Sequence, residues 1–311
     1  MGEINNPHDA FFKYAFGDKE ITKDFIKYYL PKQVSKELDL ETLKEEKGSY
    51  IDEQLKGLYS DLLFKIKDKD KKDNYIYILF EHKSYNSEKI SYQLLKYMMK
   101  IWDKKQKSKK LPMIIPLVIY NGRTKWNTEK EFKKIIENPK QQTEKYIPNY
   151  QYEIYDLSPN GTKEIVGTAI LKMILEMMRA IQIKNQKKFI DEIINITLLS
   201  KQIKNQEKAT KIYESCVRYI FNIRDDIEVE EIEEKVKEVS KERSDYFMTI
   251  ADKLIEKGKL EGMKLGEYLK AKETAKELLK EKVDKNVISK AIGISIEQIE
   301  KIEEEMKENK N

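Results

Sequence analysis

The stretch that decides the fold is "LYSDLLFKIKDKDKKDNYIYILFEHKSY", Leu58 to Tyr85. Two β-branched and aromatic runs flank a turn built of Lys and Asp, which is the pattern of a β-hairpin. Each run carries charge where a buried strand would not want it. Asp61 opens the first run, and Glu81 and Lys83 close the second. Strand side chains alternate between faces, so Glu81 and Lys83 share one face and His82 points to the other. Asp61 reaches the same end of the sheet from across the hairpin. Two carboxylates and a lysine then converge. A bare carboxylate in a dry site costs several kcal/mol, and two close together repel. A divalent cation removes both problems, because magnesium prefers hard oxygen ligands. Acid, acid and lysine around such an ion suit phosphodiester hydrolysis.

Outward from the hairpin, the chain changes character. His8 to Leu30 reads as helix with a break near Gly17 and is closed by Pro31; Leu43 to Ile51 is a further strand candidate. Tyr59 to Lys67 and Tyr75 to Lys83 are the hairpin strands, and Ile90 to Trp102 is an amphipathic helix. Leu111 to Gly122 is an apolar strand ended by an Asn-Gly turn, and Tyr150 to Ser158 is another strand. Beyond Pro159 the pattern is helical to the end, with few Pro or Gly. The fold class is therefore an α/β N-terminal half, a mixed sheet flanked by helices, followed by an all-α C-terminal region. The expected division is 1–160, 161–245 and 246–311, the last holding a tail for dimerisation or a helix-turn-helix-like element.

Composition sets limits. The 311 residues contain 60 Lys and Arg against 55 Asp and Glu, a net charge of +5, which leaves room for local basic patches but not for a polybasic tail protein. Cys216 is the only cysteine, so an intramolecular disulfide and a Cys-based zinc site are both excluded. A reducing, cytoplasmic setting fits. The start "MGEINNPHDAFFKY" lacks a signal-peptide core, and no run approaches the length of a membrane span.

The order acid on one strand, acid-x-lysine on the next resembles the PD-(D/E)xK nuclease superfamily, here Asp61 and Glu81-His82-Lys83. The next helix, "SYQLLKYMMKIW", puts Gln93 and Tyr97 four residues apart on one face. A Gln-x-x-x-Tyr helix in this place supports the site in exonuclease-like branches of that superfamily. "NPHDAFFKYAFGD", "YSDLLFKI", "YILFEHKSY", "LPMIIPLVIYNG" and "YDLS" in that order resemble the recombination-promoting nuclease (Rpn) group, whose members are also labelled transposases. The resemblance is close over residues 5 to 160 and returns in the tail beyond Asp245. It implies a restriction-endonuclease-like fold and a metal-dependent DNA endonuclease acting in recombination, mobile-element or defence contexts. Asp61 and Glu81 would hold Mg2+ or Mn2+, Lys83 would act on the phosphate or the water, and Gln93 and Tyr97 would support them. Some relatives carry Gln at the lysine position, and this chain keeps Lys83. The alternative is a catalytically inactive nuclease-fold protein that binds DNA or regulates.

Other residues have more than one reading. His8 and Asp9 suit the start of a helix, and "PHD" is characteristic of the family. Asp52, Glu53 and Asp156 are further acids that could ligate a metal or simply lie at the surface or a strand end. Lys104, Lys105 and Lys107 in "DKKQKSKK", with Arg123 and Lys125 after the Asn-Gly turn, are candidates for phosphate contact; a Lys-rich loop is also ordinary solvated surface. In the tail, Ser295 and Gln298 form a capping-box pattern after Gly293, and Gly258, Gly262 and Gly266 recur every four residues in a helical stretch. Leu254, Leu260, Leu265 and Leu269 add apolar surface there, and a homodimer through this tail is expected. The expected partners are thus DNA and a second copy of the chain, with no membrane and no small-molecule cofactor.

Overall fold

The computed structural model describes residues 6–46, 61–69, 75–104, 110–137, 140–161 and 164–308. The first helices obey their own start and stop signals. In α1 (Pro7–Phe16) the Asn6 side chain accepts from the Asp9 amide, and the helix stops at Gly17. Asp18 then caps α2 (Lys19–Tyr29) by accepting from the Glu20 and Ile21 amides. The expected break near Gly17 is this junction. After α3 (Lys32–Glu37) comes β1 (Leu38–Glu45), which begins before the strand candidate at Leu43. Its pairing with the next strand shifts between Asp39 and Lys44, so Leu38 and Leu43 are both buried although five residues apart. That bulge breaks the alternation by which a strand is recognised.

The remaining strands are β2 (Asp61–Asp68), β3 (Tyr75–Lys83), β4 (Met113–Tyr120) and β5 (Glu153–Asp156). They form one mixed sheet in the order β1-β2-β3-β4-β5. The pairs β1–β2 and β2–β3 are antiparallel, and β3–β4 and β4–β5 are parallel. The crossover that a parallel pair requires is α4 (Ile90–Asp103), between β3 and β4.

Each face of the sheet has its own core. Phe16 and Phe25 of the first two helices pack on Phe80 of β3, which also meets Phe64 of β2. On the other face, Ile90, Leu94, Met98 and Ile101 of α4 cluster with Leu63, Val118 and Ile154. The α4 side chains recur at helical spacing and the strand residues at alternate positions, so both periodicities serve the same layer.

The chain divides into two units, Met1–Met248 and Thr249–Asn311. In the first, α5 (Ala169–Ala180), α6 (Gln186–Lys201), α7 (Gln206–Ile223) and α8 (Val229–Val239) join the sheet, with α7 against α1 and α5 against α2. The start of α9 (Lys241–Lys280) is fastened there by Arg243, 1% exposed, which donates to Ser200, Gln206 and Thr210. In the second unit, Ala275 of α9 packs with Ile288 of α10 (Lys285–Ile292) and with Ile299 and Ile302 of α11 (Ile296–Glu308). Gly293 closes α10 in the left-handed conformation, at φ 73°. Ser295 and Gln298 exchange the two capping-box hydrogen bonds, at 2.9 and 3.2 Å. Gly258, Gly262 and Gly266 lie inside the continuous α9, with open space where a side chain would be. Among the described residues no helix is long and apolar enough to cross a membrane.

Candidate active site

The last three residues of β3 carry the polar chemistry. Glu81 lies directly opposite Asp61 in the antiparallel register and beside Val118 in the parallel one. Glu81 belongs to the α4 side of the sheet, where Gln93 of that helix reaches it; of Asp61 only the backbone register is described. Glu81 is wholly buried and Lys83 is 5% exposed. The Lys83 Nζ donates to Glu81 Oε1 at 2.8 Å. Gln93 Nε2 donates to the same oxygen at 2.9 Å and to the Tyr97 hydroxyl at 3.0 Å. Gln93 reaches the strand because Ile90, Leu94 and Ile101 seat α4 on the sheet, and because Ser91 and Trp102 tie its two ends to Tyr150 and Pro112.

One oxygen of Glu81 therefore has two donors. Among the described residues the other, Oε2, is buried with none. A buried carboxylate oxygen without a donor costs on the order of 1–3 kcal/mol or more, and such groups in native proteins call for an explanation. A bare carboxylate oxygen of this kind is a ligand that would suit a hard cation. Among the described residues no three His, Cys, Asp or Glu side chains cluster as a metal site. A two-acid site does not call for three.

The opposite face of the same strand is tied down. His82 stacks on Phe12 with ring centroids 5.2 Å apart and donates from Nε2 to Asn121 Oδ1 at 2.9 Å. Its Nδ1 faces Asp9 at 3.7 Å. Asn121 Nδ2 donates to the Tyr219 hydroxyl at 3.2 Å, and that hydroxyl is hydrogen-bonded to His8 Nδ1. The chain of donors is consistent if Tyr219 donates to His8, which requires a neutral His8 ring. Burial, first, and the neighbouring His82 hold His8 down to a pKa of about 4. The Asn121 amide also donates to the Lys83 carbonyl at 3.0 Å, so one side chain and one amide fix both His82 and the end of β3. Gly122 follows because a Cβ there would lie 2.4 Å from the Tyr120 ring.

The other sequence-derived candidates fall elsewhere. Asp156 accepts from the Trp126 and Ser158 amides, which makes it a loop fastener. His8 and Asp9 stand in the first turn of α1, within the network behind the strand. Lys104 ends α4 and Arg123 and Lys125 follow the Asn-Gly turn, whereas Lys105, Lys107, Asp52 and Glu53 lie outside the described residues. Asn86 was not among the candidates, yet it spans this loop by bonding Thr124, Lys125 and Asn127. Asn121 carries only a turn signal in the sequence, and Tyr219 is 98 residues further on, so no local pattern announces either. Cys216 is buried, and burial pushes its thiol far above the usual range, which removes it as a nucleophile.

Comparison with known proteins places the chain in a family. Residues 6–210 match a family model described as "Putative transposase, YhgA-like". Recombination-promoting nuclease RpnD of Escherichia coli O157:H7 is 26% identical over 254 residues, 80% of this chain and 94% of its own. Recombination-promoting nuclease RpnA of E. coli K12 is 25% identical over 300 residues, 96% of this chain and 97% of its own. A third relative, 24% identical over 91% of this chain and 93% of its own, is the inactive recombination-promoting nuclease-like protein RpnE of E. coli K12. No solved structure matches. The chain belongs to the YhgA-like transposase family, the family of the recombination-promoting nucleases.

Proposed function

We propose that the protein is a metal-dependent DNA endonuclease whose reaction is carried by Asp61, Glu81 and Lys83. The observation that supports this most is the state of Glu81: buried, with one oxygen bound by Lys83 and Gln93 and the other, among the described residues, without a donor, on a strand position opposite Asp61. Mg2+ or Mn2+, when bound by these acids, supplies an activated water and charge stabilisation. Gln93 and Tyr97 fix the rotamer of Glu81. Lys83 neutralises Glu81 in the free protein and is placed to donate to a phosphate oxygen or to the attacking water. Because a relative of similar identity is named inactive, membership alone does not carry activity; the retained Glu81–Lys83–Gln93 arrangement supports it.

DNA contact is assigned to the first unit, through Arg123, Lys125 and the lysines after α4. The α10–α11 pair has a helix-turn-helix shape, but α11 carries six Glu against two Lys. Such a helix repels phosphate. The second unit instead serves a homodimer. In α9, Leu260, Met263, Leu265 and Leu269 are each more than half exposed in the single chain. Light scattering on the full chain and on a chain ending at Met248 tests the dimer; cutting at 241 would remove Arg243 and Phe247 from the first unit's core. A monomer in both would exclude it.

The test of the main reading is nicking of supercoiled plasmid. Wild-type protein should nick in Mg2+ or Mn2+ and not in EDTA, and Glu81→Gln should be inactive. Equal nicking by wild type and variant would refute the assignment, and an inert wild type in both metals would favour a DNA-binding or regulatory role.

A further inference from the structure

A cavity of about 280 Å³ opens beside the site and shares its wall with Gln93 and Tyr97. Its composition is unlike that of a packed groove. Tyr85 and Tyr92 line it while remaining 61% and 51% exposed. Lys89, Lys96 and Lys100 line it too, at spacings of seven and four that keep them on one face of α4. The stripe runs about 16 Å at the helical rise. Lys96 Nζ stands 5.6 Å from the centre of the Tyr92 ring, and Lys83 Nζ stands 5.6 Å from that of Tyr85. The lysine assigned to the scissile phosphate thus stands beside a ring that lines the cavity. Among the described residues no side chain caps the start of α4, where Lys89 stands, so the positive end of the helix dipole adds to the lysines.

We infer that this cavity is a subsite for one unpaired nucleotide beside the scissile phosphate, with Tyr85 and Tyr92 stacking the base and Lys89, Lys96 and Lys100 holding the adjoining phosphates. The inference rests on the nuclease reading and adds the structure of the DNA taken. Exposed aromatic rings with alternating cations are what single strands need, since every base has a face to stack and the backbone needs neutralising. A duplex keeps its bases stacked and cannot fill a cavity of this size without flipping a base or fraying an end, which costs a few kcal/mol. Substrates already unpaired, such as frayed ends, mismatches or extruded loops, avoid that cost.

The test uses full-length protein in EDTA, so that binding is read without cleavage. Fluorescence anisotropy compares a labelled single strand with its duplex, and 2-aminopurine in the single strand reports stacking by its quenching. Tyr85→Ala and Tyr92→Ala should each weaken single-strand binding about tenfold and relieve the quenching, whereas Tyr→Phe at either position should preserve both. Lys89→Gln, Lys96→Gln and Lys100→Gln should each reduce the salt slope of single-strand binding by about 0.7. Both tyrosines are exposed, so the folded state should survive, with circular dichroism as the check. Alanine variants that bind and quench like wild type, or that lose single-strand and duplex affinity equally, would overturn the subsite. A wild type that stacks single strands through these tyrosines but never nicks DNA in metal would refute the nuclease reading and leave the subsite standing.

Discussion

The two faces of β3 at its C-terminal end differ in one respect that matters. Behind the strand, a chain of hydrogen bonds runs from His82 through Asn121 and Tyr219 to His8. In front, Glu81 is buried as deeply, yet among the described residues one of its oxygens has no donor. Satisfied polar groups hold a core in one arrangement, and an unsatisfied one calls for an explanation; Asp9 Oδ1, behind the strand, also lacks a donor among the described residues but faces His82 Nδ1 at 3.7 Å. The three residues Glu81-His82-Lys83 therefore divide by parity, with two facing chemistry and one facing structure.

The contrast breaks most sharply at Glu81. Glu81→Gln keeps an acceptor for Lys83 and Gln93 but removes the charge that a cation needs. Metal-supported cleavage should fall below detection. Saturating Mg2+ should raise the melting temperature of the wild type and leave that of Glu81→Gln unchanged, because only a site that binds metal in the folded state gains stability from it. An equal rise in both would place the metal elsewhere. Glu81→Ala is a poorer test. Lys83 is buried against Glu81, and truncating one member of a buried pair costs roughly 3–5 kcal/mol.

Lys83 comes next. Lys83→Gln should lower turnover about 100-fold or more while DNA affinity in EDTA holds, as expected for a donor that acts mainly in the transition state. Lost affinity with normal turnover at saturation would make it a binding residue.

How much of this was legible beforehand follows from the range of each interaction. Glu81, Lys83, Gln93 and Tyr97 lie within seventeen positions, on a strand and a helix whose periods are visible in the chain, so their meeting could be read. The Asp61 register followed from the hairpin. His82 was placed on the opposite face by alternation, but its partners were not legible. Tyr219 comes from α7 and His8 from α1, elements whose apolar stripes say that they pack without saying on what. The bulge in β1 hid the first strand's start for a related reason: a shifted register breaks the only local signal a strand has.

The network behind the strand makes its own prediction, smaller and dependent on pH. His8 has a pKa of about 4 in the folded protein against 6.5 for an unperturbed histidine. The folded value is the lower one, so the unfolded chain binds the extra proton, and stability is full above 6.5 and falls as pH drops toward 4. Acidification from neutral pH to about 5 should cost about 2 kcal/mol through this group. Denaturant melts of His8→Gln, whose carbonyl can still accept from Tyr219, should show a loss smaller by that amount over the same window. Identical pH profiles would mean that His8 is not held neutral.

The smallest effect concerns the exposed middle of α9. Gly258, Gly262 and Gly266 stand on α9 with open space around them, and each costs about 1 kcal/mol relative to alanine in a helix interior. If no partner covers this face, Gly262→Ala should stabilise the second unit by up to that amount and leave the oligomeric state alone. If a second α9 approaches there, the added methyl should instead push the helices apart and weaken association on dilution, even as the helix itself gains. Thermal melts paired with light scattering over a dilution series separate the two. A gain in stability without any loss of association would move the dimer contact away from the glycines and onto the flank carrying Leu260 and Met263, which stay exposed at 52% and 65%.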